Sequence, residues 1–229
     1  MYNLYKVLSC CLAVFLFSFA IYPQNSFGAE QIAIDVQKKY DSMKSMKASF
    51  KQVLFHKESG NKEERTGIIE FKKPLLVRWE TFMPSPELLL VTDKEIWNFF
   101  PDEEVAYKYS LDLVKDPKSI VRVITGLARL DQDFEIKDEG MENGLVKLRL
   151  YPHEPVQAFV EGVIWVDKSS SIIRRFRIMD FYANENDISF TDQEINPSIK
   201  DKEFQFSPPK DAHIEDRTDA KTTQKPLMQ

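Results

Sequence analysis

Apolar positions set the first element. Ile32, Val36, Tyr40 and Met43 recur at spacings of four, four and three, which predicts one buried helix face over Glu30–Met46. At Ala48 the period drops to two. Ala48, Phe50 and Leu54 point one way and Val53 and Phe55 the other, as in a strand. Residues 57–64 are charged, carry Gly60-Asn61, and read as a hairpin loop. Strands are then expected at Arg65–Lys72, Leu75–Glu80, Leu88–Thr92 and Glu95–Phe100, separated by Pro and Asp turns. Leu88–Thr92 is apolar nearly throughout, as in a strand covered on both faces.

Beyond this block, Glu104–Tyr109 reads as another strand. Asp116-Pro117 then has the signature of a helix start, and Ile120, Val123, Ile124 and Leu127 follow at helical spacing with Gly126 interrupting. Strands are expected at Phe134–Lys137, Leu145–Tyr151, Ala158–Asp167, Ile172–Phe181 and Ile188–Ile195, with a short last one at Phe204–Phe206. From about Asp216 the chain reads as a disordered polar tail. The sum is a mainly β protein with helices (α+β), about 10–11 mostly antiparallel strands forming a curved sheet or open barrel lidded by helices.

The N-terminus changes where this fold is expected to work. Lys6, an apolar run from Val7 to Tyr22, and the small residues around Ser26-Phe27-Gly28-Ala29 have the layout of a secretory signal peptide, with cleavage expected after Gly28. The organisation is therefore a leader over 1–28, one domain over 29–215 and a tail over 216–229. Both cysteines, Cys10 and Cys11, fall inside the apolar run, so the mature chain is expected to have no disulfide and no cysteine metal site. Formal net charge is −5, and losing Lys6 with the leader makes the mature chain slightly more acidic, a poor match for nucleic acid.

Candidate chemistry is sparse. His56, His153 and His213 lie far apart in sequence without metal-ligand spacing, and no serine or cysteine nucleophile sits in a recognisable base-bearing motif. The acidic pairs at Glu63-Glu64, Asp102-Glu103-Glu104 and Asp138-Glu139 read as solvated loop charge. Arg174, Arg175 and Arg177 read either as cross-strand ion-pair partners or as a docking patch for an acidic partner. No catalytic residue, metal site or cofactor is expected. The aromatic content of 12% does change the picture. A sheet buries one face in its core, yet several strands here are apolar on both, so either helices cover the second face or it walls a cavity.

The residues that carry this pattern also resemble a known family. They are Ala48-Ser49-Phe50-Lys51-Gln52, Gly67-x-Ile69-x-Phe71-Lys72-Lys73-Pro74, Arg78-Trp79-Glu80, Pro84, Leu90-Val91-Thr92-Asp93-Lys94-x-Ile96-Trp97-x-Phe99-x-Pro101, and a terminal Asn196 followed by Phe204-x-Phe206-x-Pro208-Pro209. Over Lys47–Pro209 the chain is similar to the LolA family of periplasmic outer-membrane lipoprotein carriers. The resemblance implies an incomplete antiparallel β-barrel with a helical lid over an apolar cavity. It implies a non-enzymatic, monomeric carrier that takes acylated lipoproteins from an inner-membrane ABC release complex and passes them to an outer-membrane receptor. The alternative within the fold is a receptor-like or envelope-stress lipid-binding protein.

Phe50, Ile69, Phe71, Val77, Trp79, Leu89, Val91, Trp97 and Phe99 are the candidates for the cavity wall, and alternation alone does not separate wall from supporting core. The resemblance places the lid at Ser119–Leu130, with Ile120, Val123, Ile124 and Leu127. It places Lys73 where the family keeps an arginine that latches the lid. A lysine offers a point charge with rotatable donors instead of a planar fork. Asp93-Lys94-Glu95 also departs from the family's usual Asp-Gly turn.

Overall fold

The computed structural model describes residues 26–115, 122, 125, 126 and 128–219, with side chains from Gly28 onward. Helix α1 spans Ser26–Ser42, so the expected processing point after Gly28 lies in its first turn. Its buried stripe is Ala29, Ala33, Val36, Gln37 and Tyr40, followed by Met43 just past the helix. The helix ends before Met46 because Asn196, far along the chain, accepts the Lys44 and Ser45 N–H groups on its Oδ1 at 2.7 and 3.4 Å. The Ser45 hydroxyl donates to the Pro197 carbonyl at 2.7 Å, and the chain enters a strand there.

Twelve strands follow: β1 Ser45–Phe55, β2 Lys62–Lys72, β3 Leu76–Met83, β4 Glu87–Val91, β5 Glu95–Phe100, β6 Val105–Ser110, β7 Phe134–Glu142, β8 Leu145–Pro152, β9 Glu161–Asp167, β10 Ile172–Met179, β11 Glu185–Ile195 and β12 His213–Asp216. Two short helices, α2 (Asp112–Lys115) and α3 (Leu130–Asp133), flank the crossover between β6 and β7. The strands form one sheet in the order β12-β6-β5-β4-β3-β2-β1-β11-β10-β9-β8-β7. The end strands β12 and β7 are not paired with each other, so the barrel is open. All pairs are antiparallel except β12–β6, which is parallel.

Register assigns the two faces. On the inner face, Ala48, Ile69, Trp79, Leu89 and Asn98 form one cross-strand row, and Met46, Phe71, Val77, Val91 and Ile96 form the next. These rows join the α1 stripe in the main core, together with Leu148, Ile164, Phe176 and Ile188 from the other half of the sheet. The outer face of β3–β6 is also apolar, carrying Leu76, Leu88, Leu90, Trp97, Phe99 and Ala106.

Among the described residues, that second face is covered by the chain that follows β11. The C-terminal chain crosses it as a strap and packs Ile199, Phe204 and Phe206 onto it. The Phe206 ring lies 5.7 Å from Trp97 and 5.4 Å from Phe99. Lys72 Nζ fastens the strap at the Ile199 carbonyl (3.0 Å) and the Asp201 carboxylate (2.6 Å). Phe204–Phe206 is therefore not the last strand. Phe204 closes a 3₁₀ turn, Asp201–Phe204, and the two Phe side chains cap a core while the ladder forms later. The last strand is β12, a polar His-Ile-Glu-Asp segment without strand-like alternation. Arg217, assigned to the tail by composition, has its guanidinium carbon 4.1 Å from the Tyr107 ring centroid.

The arginine cluster resolves into cross-strand pairs. Arg175 makes a two-pronged contact with Asp187 (2.8 and 2.6 Å), Arg177 meets Glu185 at 3.2 Å, and Arg174 meets Asp167 at 2.9 Å. Their charge is met within the sheet.

Candidate functional site

The site is the concave face of the sheet and the helix laid into it. Seven of the wall candidates, Phe50, Ile69, Phe71, Val77, Trp79, Leu89 and Val91, lie on that face, all buried in the main core. The Phe50 and Trp79 rings meet at a tilt of 44°, 4.6 Å between centroids. Trp97 and Phe99 lie on the opposite face, beneath the strap. Strict alternation through β5 sends them outward while Ile96 and Asn98 face in. The indole of Trp97 donates to the Glu95 carboxylate at 2.9 Å. The wall is not wholly apolar: Gln52 donates to Asn186 Oδ1 at 3.0 Å, and the buried Asn98 Oδ1 has no partner among the described residues.

Lys73 sits in the turn between β2 and β3, and its Nζ donates to the carbonyls of Tyr40 and Asp41, both at 2.7 Å. These belong to the last turn of α1, where carbonyls lack an i+4 N–H partner and a cation is favoured. Lys73 thus fastens α1 to the sheet. Ile120, Val123, Ile124 and Leu127 lie outside the described residues. We expect Lys73→Met to cost roughly 2 kcal/mol, the worth of hydrogen bonds to a charged group, and Lys73→Arg to cost less. Urea unfolding of the two variants measures this, and equal midpoints for Met and wild type would reject the clamp.

The end of the β6–β7 crossover is held by α1 as well. Gln37, 3% exposed, spends its whole carboxamide there. Its Nε2 donates to the Gly126 carbonyl (3.2 Å) and to Asp41 Oδ1 (3.0 Å), while its Oε1 accepts the Leu130 N–H (3.1 Å). Arg129 Nη1 reaches Asp41 Oδ2 at 3.1 Å. Gly126 has φ +73°, and a Cβ there would lie 2.5 Å from Tyr40 Cβ, so the crossover packs closely on the Tyr40 side chain at this point. Burial pushes the Tyr40 hydroxyl well above the usual phenol value, against the opposing pull of the Ile173 backbone and Arg174, so it stays neutral.

Gln37, Asp41, Gly126 and Arg129 were not candidates on sequence. One signal was available: Gln37 lies four residues after Ala33 on the apolar stripe, and a polar residue there needs a buried partner.

An open antiparallel half-barrel, curved around an apolar interior and closed by a clamped helix, defines the class of protein. The chain belongs to the LolA family: the sequence model described as "Outer membrane lipoprotein carrier protein LolA" matches residues 41–207. It is similar to the outer-membrane lipoprotein carrier protein of Dechloromonas aromatica, 24% identical over 172 residues, covering 75% of this chain and 81% of that one. The carrier of Xylella fastidiosa is 24% identical over 173 residues, with 75% and 81% covered. Among solved structures, an uncharacterized conserved protein from Thermus thermophilus superposes with TM-score 0.55 at 16% identity, covering 82% of this chain and 98% of that one. The Mycobacterium tuberculosis lipoprotein LppX does so with TM-score 0.50 at 10% identity, covering 77% and 99%. At these identities the solved structures speak to the fold.

Proposed function

We propose that this protein is a periplasmic carrier that shields the acyl chains of lipoproteins between the inner and outer membranes. The observation that carries the reading is the inner wall of Phe50, Ile69, Phe71, Val77, Trp79, Leu89 and Val91, closed by a helix held through a few polar bonds. Apolar packing of that kind can exchange one hydrocarbon partner for another. The residues Ile120, Val123, Ile124 and Leu127 complete the lid in this reading, with Lys73 as its indirect latch through α1.

Energetics favour a helix that competes with cargo. Each buried methylene is worth roughly 0.8 kcal/mol, so an acyl chain of about 14 carbons offers roughly 10 kcal/mol. Several fully buried chains would exceed the practical limit of about 20 kcal/mol, and the cargo could not be handed on. A helix that must be displaced from the same wall keeps the affinity intermediate.

The leader over 1–28 supplies export, an ABC release complex in the inner membrane supplies the cargo, and an outer-membrane receptor accepts it. The test is mass spectrometry of the protein purified from the periplasm, followed by transfer of a labelled lipoprotein between membrane fractions. An unmodified N-terminus, co-purified acylated lipoprotein and transfer to outer membranes are expected. An acylated N-terminus would favour the receptor-like reading, and absence of both cargo and transfer would overturn the carrier.

A further inference from the structure

Among the described residues, the buried carboxamides are Gln37, Gln52 and Asn98. Gln37 holds the crossover and Gln52 donates to Asn186, but Asn98 Oδ1 has no partner. Asn98 is 8% exposed, and its Oδ1 is sealed from solvent. An acceptor left unpaired in an apolar wall is a standing cost to the fold, and a leucine at the same position would avoid it. The side chain faces the interior, in the row of Ala48, Ile69, Trp79 and Leu89.

Asn98 stands where that wall changes character. Directly opposite it lie Leu89 on β4 and Tyr107 on β6. Its neighbours on the same face of β5 are Ile96, fully buried, and Phe100, half-buried. Toward Ile96 the inner face is apolar. Toward Phe100 it opens into a half-buried lip, where the Phe100 and Tyr107 rings meet edge to face at 5.9 Å. On the neighbouring strands the same face then becomes charged. Arg65 lies two residues before the inward-facing Gly67 and Glu87 two before Leu89, and their side chains pair at 3.4 Å. Asn98 thus sits at the depth where hydrocarbon surface ends and polar groups begin.

We infer that Asn98 Oδ1 is the acceptor for an amide N–H at the head of a bound acyl chain, and that it selects acylated polypeptides over ester-linked membrane lipids. The inference rests on the carrier reading and names what its wall distinguishes. An acyl chain laid in the apolar interior ends at a carbonyl. The next atom is nitrogen in an amide and oxygen in an ester. A polypeptide acylated on nitrogen presents an N–H there, whereas a glycerolipid ester presents acceptors alone. The amide satisfies Oδ1. The ester leaves it unpaired and sets a second oxygen against it, so the wrong ligand is penalised as well as the right one favoured.

The test compares two probes that differ at one atom: an N-palmitoyl peptide and its ester isostere, in which oxygen replaces the acylated nitrogen. Each is titrated against a fluorescent fatty acid on the purified protein. Wild type is expected to bind the amide about tenfold more tightly, the worth of one buried hydrogen bond. Asn98→Leu should abolish that preference by weakening the amide probe alone. Its urea midpoint should equal or exceed that of wild type, because an unpaired acceptor is gone. Equal binding of both probes by wild type, a comparison that needs no variant, overturns the inference and leaves the carrier reading standing. The inference is also overturned if Asn98→Leu keeps the preference, or if its midpoint falls well below wild type, because the carboxamide would then serve the fold. If neither probe displaces the fatty acid from wild type, the carrier reading fails and the inference with it.

Discussion

Gly67→Ala is expected to destabilise the protein by roughly 3 kcal/mol or more, beyond the ordinary cost of one added methyl in a packed core. Gly67 faces inward on β2, opposite Phe50 on β1 and Thr81 on β3. A Cβ there would lie 2.0 Å from the Glu80 backbone carbonyl oxygen and 2.8 Å from two ring carbons of Phe50. A ring can rotate, but the carbonyl belongs to a strand bonded on both sides, so relief requires β2 and β3 to part. The Phe50–Trp79 ring contact lies on the same wall and would be disturbed with it. The urea midpoint of Gly67→Ala measures the effect; a change below about 1 kcal/mol would show that the wall yields, contrary to this account.

The second large effect is expected at Gln37. Gln37→Leu keeps the approximate volume but leaves the Gly126 carbonyl and the Leu130 N–H without their partner. Each such group costs about 1–3 kcal/mol when buried and unpaired, so the sum is roughly 3 kcal/mol. The loss should be local. Hydrogen exchange at the Leu130 amide is expected to accelerate on the order of 100-fold, while central strands exchange as before. Gln37→Glu keeps an acceptor for Leu130 but turns a buried carboxylate oxygen toward the Gly126 carbonyl and Asp41, so it should be no milder than Gln37→Leu. If Leu130 exchanges at the wild-type rate in Gln37→Leu, α1 does not hold the crossover. In the proposed carrier, this joint sets how readily the helical cover leaves the wall, so Gln37→Leu should weaken the cover's competition with cargo and slow cargo release.

Much of this architecture was readable along the chain, because periodicity is a local property. Ile69, Phe71, Val77 and Trp79 declared a strand face by alternation, and Ile32, Val36 and Tyr40 a helix face by spacing. Alternation through β5 puts Ile96 and Trp97 on opposite faces. It could not say which face met the helix, since both were apolar. The covering of Trp97 and Phe99 came from Phe206, about a hundred residues later, in a segment whose own pattern imitated a strand. β12 was missed for the converse reason: it pairs with β6 at an edge, through backbone bonds that place little demand on side chains.

The site divides along the same line. Lys73 was marked by the family resemblance, but its role needed the partner, and its two acceptors are backbone carbonyls with no residue signature. Gln37 and Gly126 likewise acquire meaning from each other across 89 positions. The sequence alone determined that this is an antiparallel β protein with an apolar interior and an opening helix, because burial periodicity is written residue by residue. Tertiary structure decided which apolar face lines the interior, which is sealed by the strap, and where the helix is clamped. Those outcomes depend on which distant segments the curved sheet brings within reach of each other.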